Sequence, residues 1–208
     1  LSALEIRGFV ERVLRTTGRR VDVSRPFVDA SLPDGSRLHV VIPDITQEHW
    51  SLNIRKFSQT LRSLDDLIAA GVLSRQAADY LKNCVREGKS VLVSGATQAG
   101  KTTMLMALLA AVPDSERIVT VEETFELALD RPDHVGMQCR GESLEGTGEV
   151  TLRRLVKEAL RMRPDRIVVG EVREAEALDL LIALNSGLPG MCSIHAKSAV
   201  HALVKLST

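Results

Sequence analysis

The stretch SGATQAGKTT, residues 94–103, combines residue types that can hold a phosphate group. Gly95, Gly100, Lys101 and Thr102 match the spacing of the P-loop pattern. Glycine lets the backbone curl so that several N–H groups point at phosphate oxygens, while the lysine adds a positive charge and the threonine hydroxyl suits Mg²⁺. We therefore predict a site for ATP and Mg²⁺. Its predicted nucleotide-binding residues are Gly95, Ala96, Thr97, Gln98, Ala99, Gly100, Lys101, Thr102 and Thr103.

Two apolar segments downstream end in carboxylates that can bind a metal or orient a water molecule. DRIVVGE ends at Glu171, and RIVTVEETFEL carries Glu122 and Glu123. A carboxylate at the end of a strand beside a P-loop completes an Mg-ATP site, so Glu171 is predicted to bind the metal together with Thr102 and to position the attacking water. Glu122 and Glu123 remain alternative catalytic carboxylates. Glu126 is interpreted as a residue placed only by a helix dipole.

Histidine and arginine side chains supply further candidates. His195 ends the apolar run in MCSIHAKS, where a structural histidine and a γ-phosphate sensor are about equally expected. Arg140 and Arg161 stand at the ends of predicted elements, where a guanidinium can reach a phosphate. Arg153 and Arg154 are expected on a solvated helix face.

The elements that must position these residues alternate between apolar runs and helical patterns. This alternation predicts βαβ units and an α/β fold with a mostly parallel sheet, covered on both faces. SVLVSG precedes the phosphate-binding loop as a strand, and TTMLMALLAAV follows it as a helix whose positive dipole end faces the phosphates. The strand runs are Val91–Val93, Ile118–Val121 and Ile167–Val169.

The first part of the chain has a different pattern, which predicts a small α+β domain. Helical spacing covers Ala3–Thr16, and alternating segments at Phe27–Leu32 and Ser36–Ile42 flank a Pro-Asp-Gly turn. Ser51–Phe57 adds a short strand. We predict an N-terminal α+β domain over residues 1–57, a linker over 58–63 and an ATPase domain over 64–208 that is truncated at its C-terminal end.

Composition excludes several classes of protein. The 208 residues include 27 basic and 27 acidic side chains, so the chain lacks the basic surface that non-specific nucleic-acid binding needs. No apolar run reaches membrane-span length, and the mixed-charge stretch Leu1–Gly8 is not expected to be a signal peptide. Cys84, Cys139 and Cys192 have no CxxC spacing and are interpreted as reduced core thiols of a cytosolic protein. Because the chain begins without Met, we expect it to be part of a longer protein.

These motifs together resemble the traffic ATPases of type II and type IV secretion systems. Four motifs appear in the order of that superfamily: the P-loop, an acidic Asp box, a Walker B-like VVGEVREAEA and a His box. They cover Gly95–Thr103, Thr120–Leu127, Val168–Ala177 and Ser193–Ser198. Within the superfamily, VDASLPDGSRLHVVIP, LNIRKF and LRMRPDRIVVGEVR most resemble the tight-adherence (Flp-type) pilus ATPases.

The resemblance implies an Mg-dependent ATPase with a RecA-like motor domain joined flexibly to its N-terminal α+β domain. It further implies a homo-hexamer on the cytoplasmic face of the inner membrane, which works with membrane platform proteins of a secretion or pilus system and not with nucleic acid. Arg55 and Phe57 would close over the nucleotide from the N-terminal domain. The residues that match catalytic or phosphate-contacting positions of the family are Glu171, Glu122, Glu123, His195, Arg140 and Arg161.

Two other functions remain as alternatives. A regulatory or partition-type module would bind nucleotide with negligible turnover, and the less glycine-rich loop, with Ala96, Gln98 and Ala99, favours it. A RecA-like nucleic-acid motor is disfavoured by zero net charge and few aromatic residues, because strand-binding channels combine basic grooves with stacking aromatics.

Overall fold

The computed structural model describes residues 2–17, 19–56, 61–142, 148–173 and 176–207. By its contacts the chain divides into two compact units, Leu1–Ser58 and Gln59–Thr208. Phe57 and the first part of the predicted linker, residues 58–60, lie outside the described residues.

The N-terminal unit packs one helix on a three-stranded antiparallel sheet, as the sequence predicts. Its elements are α1 (Ala3–Thr17), β1 (Phe27–Ser31), β2 (Arg37–Val41) and β3 (Ser51–Arg55). The strand order is β1-β2-β3. Gly35 has φ of 82° in the β1–β2 turn, a conformation that glycine adopts without a steric penalty. Val10 of α1 and Leu38 and Val40 of β2 are fully buried and form the centre of the core.

The second unit contains a five-stranded parallel sheet with strand order β4-β8-β7-β5-β6. The strands are β4 (Val91–Gly95), β5 (Ile118–Glu122), β6 (His134–Gln138), β7 (Arg166–Val172) and β8 (Gly190–His195). The helices are α2 (Leu64–Ala69), α3 (Arg75–Arg86), α4 (Lys101–Leu109), α5 (Leu152–Leu160), α6 (Glu176–Asn185) and α7 (Ala199–Ser207).

Helices cover both faces of this sheet, which explains why β4, β5 and β7 contain runs of branched apolar residues. Alternate residues of one strand enter different cores, since successive side chains point to opposite faces. Ile118 packs with α2, α3 and α4, whereas Val119 packs with α5 and α6. The predicted α/β fold with a parallel sheet is confirmed, and β6 is a strand that the sequence analysis did not identify.

Parallel strands bring the candidate residues to one edge of the sheet. The phosphate-binding loop follows β4, Glu122 ends β5, Glu171 lies near the end of β7 and His195 ends β8. The carboxyl ends of parallel strands lie together, so these residues meet at the usual ligand-binding edge of an α/β sheet.

The environments of the cysteines and the lengths of the helices bear on the expectations from composition. Cys84 and Cys192 are buried and Cys139 is partly buried. Among the described residues, the helices are too short or too polar to cross a bilayer.

Candidate functional site

The loop between β4 and α4 has two residues in a backbone conformation that non-glycine residues seldom adopt. Gly100 has φ of 84° and Gln98 has φ of 62°, both in the left-handed region. A Cβ on Gly95 would lie 3.0 Å from the Cβ of Ala99, so the loop curls closely on itself at this glycine. No side chain caps the N-terminus of α4, which leaves its first N–H groups available to an anion. The loop and the first turn of α4 therefore fit a phosphate group.

The side chain of Lys101 folds back along this loop. Its Nζ donates a hydrogen bond to the carbonyl oxygen of Ala96 at 3.2 Å and lies 3.6 Å from Oε1 of Glu171. The side chain is mostly buried, with 12% of its surface exposed. The structure therefore brings the predicted phosphate-binding lysine and the predicted metal-binding acid together.

Glu171 is held by a second cation, Arg173. The Nε and Nη2 atoms of Arg173 donate to Oε2 of Glu171 at 2.8 and 2.5 Å, and its Nη1 donates to Oε2 of Glu123 at 2.7 Å. Partial burial by itself would raise the pKa of Glu171, but the bonds to Arg173 and the charge of Lys101 lower it below its ordinary value. Glu171 is thus an ionised acid within reach of the loop.

Glu122 has the opposite environment. Its Oε2 accepts hydrogen bonds from the backbone N–H groups of Glu126 and Leu127 at 2.8 and 3.0 Å, while its buried Oε1 has no hydrogen-bond partner among the described residues. The side chain packs against Gly170, where a Cβ would lie 3.1 Å from Cγ of Glu122. Burial raises the pKa of Glu122 to about 7, although the two backbone hydrogen bonds oppose the increase. Two adjacent acids, Glu122 and Glu123, therefore differ: one is buried and the other is exposed.

Side-chain oxygen atoms suitable for Mg²⁺ lie at the start of α4. Oγ1 of Thr102 donates to Oε2 of Glu126 at 3.3 Å, so Glu126 lies closer to the site than its interpretation as a dipole-placed residue implied. Within the described ranges, His, Cys, Asp and Glu side chains form no group of three that could hold a metal by themselves. Hydroxyl and carboxylate oxygens nevertheless fit a cation that takes most of its ligands from phosphates and water, as Mg²⁺ does.

His195 lies in the neighbouring strand, as its predicted role requires. Strand β8 pairs with β4, and His195 is opposite Gly95, the first residue of the loop. The imidazole is exposed at the end of the strand. His195 is therefore near the loop and accessible to a ligand.

The two arginine candidates lie away from the loop of their own chain. Arg140 follows β6, four strands from β4 and hence about 19 Å across the sheet, and its Nε donates to the carbonyl oxygen of Gly148 at 3.0 Å. Arg161 follows the last residue of α5, just before β7 begins, so it lies at the opposite edge of the sheet. Its Nη1 is 3.5 Å from Oε2 of Glu158, and 78% of its side chain is exposed. The structure does not bring Arg140 or Arg161 to the loop within one chain.

Arg55 belongs to β3 in the N-terminal unit, and Phe57 lies outside the described residues. Arg173 was given no role in the sequence analysis, although it lies two residues after Glu171. That spacing, which places two side chains on one side of an extended segment, was the available signal.

The sequence matches the family described as Type II/IV secretion system protein over residues 4–208. A putative conjugal transfer protein of Mycobacterium tuberculosis (strain ATCC 25618 / H37Rv) is 44% identical over 200 residues, covering 93% of this chain and 57% of that protein. The type IV secretion system protein VirB11 of Bartonella henselae is 31% identical over 242 residues, covering 100% of this chain and 68% of that protein. This chain thus spans little more than half the length of the first of these relatives.

A solved structure gives the same relationship in three dimensions. The crystal structure of the VirB11 ATPase from the Brucella suis type IV secretion system, in complex with sulphate, superposes with a TM-score of 0.56 and 29% identity. It covers 100% of this chain and 69% of that chain. The resemblance to the secretion ATPase superfamily and its RecA-like fold is confirmed, and the narrower resemblance to tight-adherence pilus ATPases stays a prediction. With a family match over residues 4–208, this chain belongs to the type II/IV secretion system protein family.

Proposed function

We propose that this chain is the ATP-hydrolysing part of a motor in a bacterial or archaeal secretion or pilus-assembly system. The observation that carries the proposal is the approach of Lys101 in the phosphate-binding loop to Glu171 at 3.6 Å, at the edge where all strands of the sheet end. A lysine for phosphate and an ionised acid for water or metal are two of the parts that phosphoryl transfer to water needs.

The residues divide the work according to their environments. The N–H groups of the loop and of the first turn of α4 would hold the phosphates, and Lys101 would neutralise charge on the β- and γ-phosphate oxygens. Glu171, ionised and oriented by Arg173, would accept a hydrogen bond from the attacking water. Mg²⁺, held through Thr102 and Glu171, would neutralise developing charge on the phosphates when bound.

Glu123 and His195 are the remaining groups of the site, and both are exposed at this edge. Glu123 would share with Glu171 the orientation of water, and His195 would contact the γ-phosphate from the end of β8. Glu122 is buried behind them and would support the segment that carries Glu126. These assignments rest on the exposure of Glu123 and His195 and on the burial of Glu122.

The motor would act as a homo-hexamer at the cytoplasmic face of the inner membrane, with the platform proteins of its system as partners. Support comes from the family membership and from relatives named for conjugal transfer and type IV secretion. Hydrolysis in such a ring would change the relation between the N-terminal α+β domain, residues 1–57, and the ATPase domain, residues 64–208, through the linker at 58–63.

Substitution of Lys101 by alanine tests the proposal. Loss of the cation aimed at the phosphates should abolish hydrolysis and weaken nucleotide affinity about 10- to 100-fold, the range expected when a charge-assisted hydrogen bond is lost. Titration with a fluorescent ATP analogue and a phosphate-release assay measure the two effects. The matched control is Lys157→Ala, an exposed helix lysine 3.5 Å from Asp179, which should change neither. Unchanged affinity and turnover in Lys101→Ala would overturn the assignment of this loop.

A further inference from the structure

Arg173 contacts two candidate catalytic acids that belong to different segments. Its guanidinium gives two hydrogen bonds to one oxygen of Glu171, at 2.8 and 2.5 Å, and one to Glu123, at 2.7 Å. Glu171 lies on β7 and Glu123 directly follows β5. One side chain therefore connects the ends of the two strands that supply the acids.

The backbone of Arg173 is itself fixed. Its N–H donates to Oε1 of Glu176 at 2.6 Å, and Glu176 is a buried residue, 6% exposed, at the start of α6. Burial of the acceptor makes this hydrogen bond stronger than a solvent-exposed one. The guanidinium thus extends from an anchored position toward the site.

Charge balance indicates why a second cation is needed there. Lys101 lies 3.6 Å from Glu171, but a phosphate in the loop competes with Glu171 for the same ammonium group. When Lys101 turns to phosphate, Glu171 retains only Arg173 as a paired cation among the contacts described above. Without it, the carboxylates of Glu171 and Glu123 would repel each other and the incoming phosphates.

We propose that Arg173 is a positioning residue that holds the carboxylates of Glu171 and Glu123 in a fixed relation while Lys101 binds phosphate. This inference rests on the proposed ATPase function. Arginine suits the task because its planar fork reaches two acceptors at once, whereas a lysine ammonium at the same place would satisfy one acid and not orient the other.

The first experiment observes the contacts independently of turnover. In a ¹⁵N-labelled protein, the Nε–H resonance of Arg173 is assigned by its loss in Arg173→Lys. It should shift in Glu171→Gln, which replaces its charged carboxylate acceptor with a neutral amide, and also in Glu123→Gln. It should not shift in Glu158→Gln, the control, which removes an acid from the exposed pairs with Arg154 and Arg161. A resonance that responds to neither acid would overturn the proposal, whatever the enzyme does.

The second experiment measures kinetics. Arg173→Gln should lower kcat about 10- to 100-fold, the usual cost of losing a group that orients a catalytic ligand, with nucleotide affinity changed less than about threefold. Arg173→Lys should recover part of kcat. The control Arg154→Gln, at an exposed helix position, should behave as the native protein does.

A double variant separates positioning from general support of the fold. If Arg173 acts by linking the acids, the loss of kcat in Arg173→Gln combined with Glu123→Gln should be smaller than the product of the single losses. The proposal would be overturned if the loss of kcat in the double variant equals the product of the two single losses. It would also be overturned if nucleotide affinity falls as much as kcat. If the native protein shows the Arg173 contacts but hydrolyses no ATP, the proposed function fails, and this assignment to catalysis fails with it. If the native protein hydrolyses ATP but lacks the Arg173 contacts, only the role proposed for Arg173 fails, and the proposed ATPase function stands.

Discussion

At the scale of single residues, the acids at the sheet edge are distinguished by their surroundings. Glu171 is paired with Arg173 and Lys101, which lowers its pKa, whereas burial raises the pKa of Glu122 to about 7. Divergent environments for nearby carboxylates are the usual way in which a site assigns different roles to one residue type. The ionised Glu171 is therefore the better candidate for orienting water, and Glu122 the better candidate for a structural role.

Glu171→Gln should keep nucleotide affinity and remove most turnover. The amide preserves the shape of the side chain but lacks the charge that orients water and metal-bound ligands. Single-turnover hydrolysis and equilibrium binding measure the two properties separately. Survival of activity in Glu171→Gln, with its loss in Glu122→Gln or Glu123→Gln, would show that the catalytic carboxylate belongs to the segment after β5.

The raised pKa of Glu122 predicts a pH dependence of stability. The folded protein holds this proton up to a pH of about 7, whereas the unfolded chain releases it near the ordinary value of 4.5. Between these values the folded state binds more protons, so the free energy of unfolding should fall as pH rises, by at most about 3 kcal/mol. Below pH 4.5 this contribution is complete, and above pH 7 it has been lost.

Chemical denaturation at pH 5, 6, 7 and 8 checks this dependence by comparing the native protein with Glu122→Gln. The variant cannot titrate at this position, so its stability should fall less than that of the native protein over this range. Glu158→Gln, which changes an exposed acid, should follow the native curve. Parallel curves for the native protein and Glu122→Gln would contradict the assigned pKa.

At the scale of elements, the sequence predicted the strands that carry runs of branched apolar residues, and it missed β6. Strand β6 is only partly buried, and its residues HVGMQ form no continuous apolar run. Pairing with β5, from His134 opposite Ile118 to Gln138 opposite Glu122, defines this strand. Long-range pairing of that kind has no local signal in a sequence.

The burial of Arg166, the first residue of β7, likewise depends on long-range contacts that have no local signal in the sequence. A charged residue is normally exposed, yet its side chain is 0% exposed, and its Nε lies 2.9 Å from Oε2 of Glu116. Its Nη2 donates to the carbonyl oxygen of Val85 near the end of α3, at 2.9 Å. By contrast, the site acids were found from the sequence because their motif spacing and strand-end positions are local features.

Glu116→Gln should therefore destabilise the protein strongly. The substitution leaves the buried guanidinium of Arg166 without its counter-charge, which costs about 3 kcal/mol in the free energy of unfolding. Glu158→Gln is the matched control, since its partners Arg154 and Arg161 are largely exposed and the cost should stay below about 0.5 kcal/mol. Urea denaturation of both variants measures the difference, and equal losses would show that the buried pair contributes no more than a surface pair.

At the scale of the whole molecule, the positions of the arginines suggest how turnover depends on assembly. Arg161 lies at the edge of the sheet opposite the loop, and Arg140 lies four strands away from it. Negative charge develops on the γ-phosphoryl oxygens during hydrolysis, and an arginine that neutralises it contributes on the order of 10³–10⁵ in rate. If Arg140 or Arg161 has this role, it acts on the loop of a neighbouring copy.

Mixing two inactive variants tests that expectation. Lys101→Ala lacks a working loop but keeps its arginines, and Arg161→Ala keeps the loop but lacks one arginine. Lys101→Ala alone should not hydrolyse ATP, and Arg161→Ala alone should have little activity. The mixture should recover part of the native rate, because some interfaces then join an intact loop to an intact Arg161. The same test applies to Arg140→Ala.

Specific activity of the native chain should also rise with protein concentration, since isolated chains would bind ATP through the loop but lack the neighbouring arginine. A mixture no more active than its components, together with a native rate independent of concentration, would show that each chain hydrolyses ATP alone.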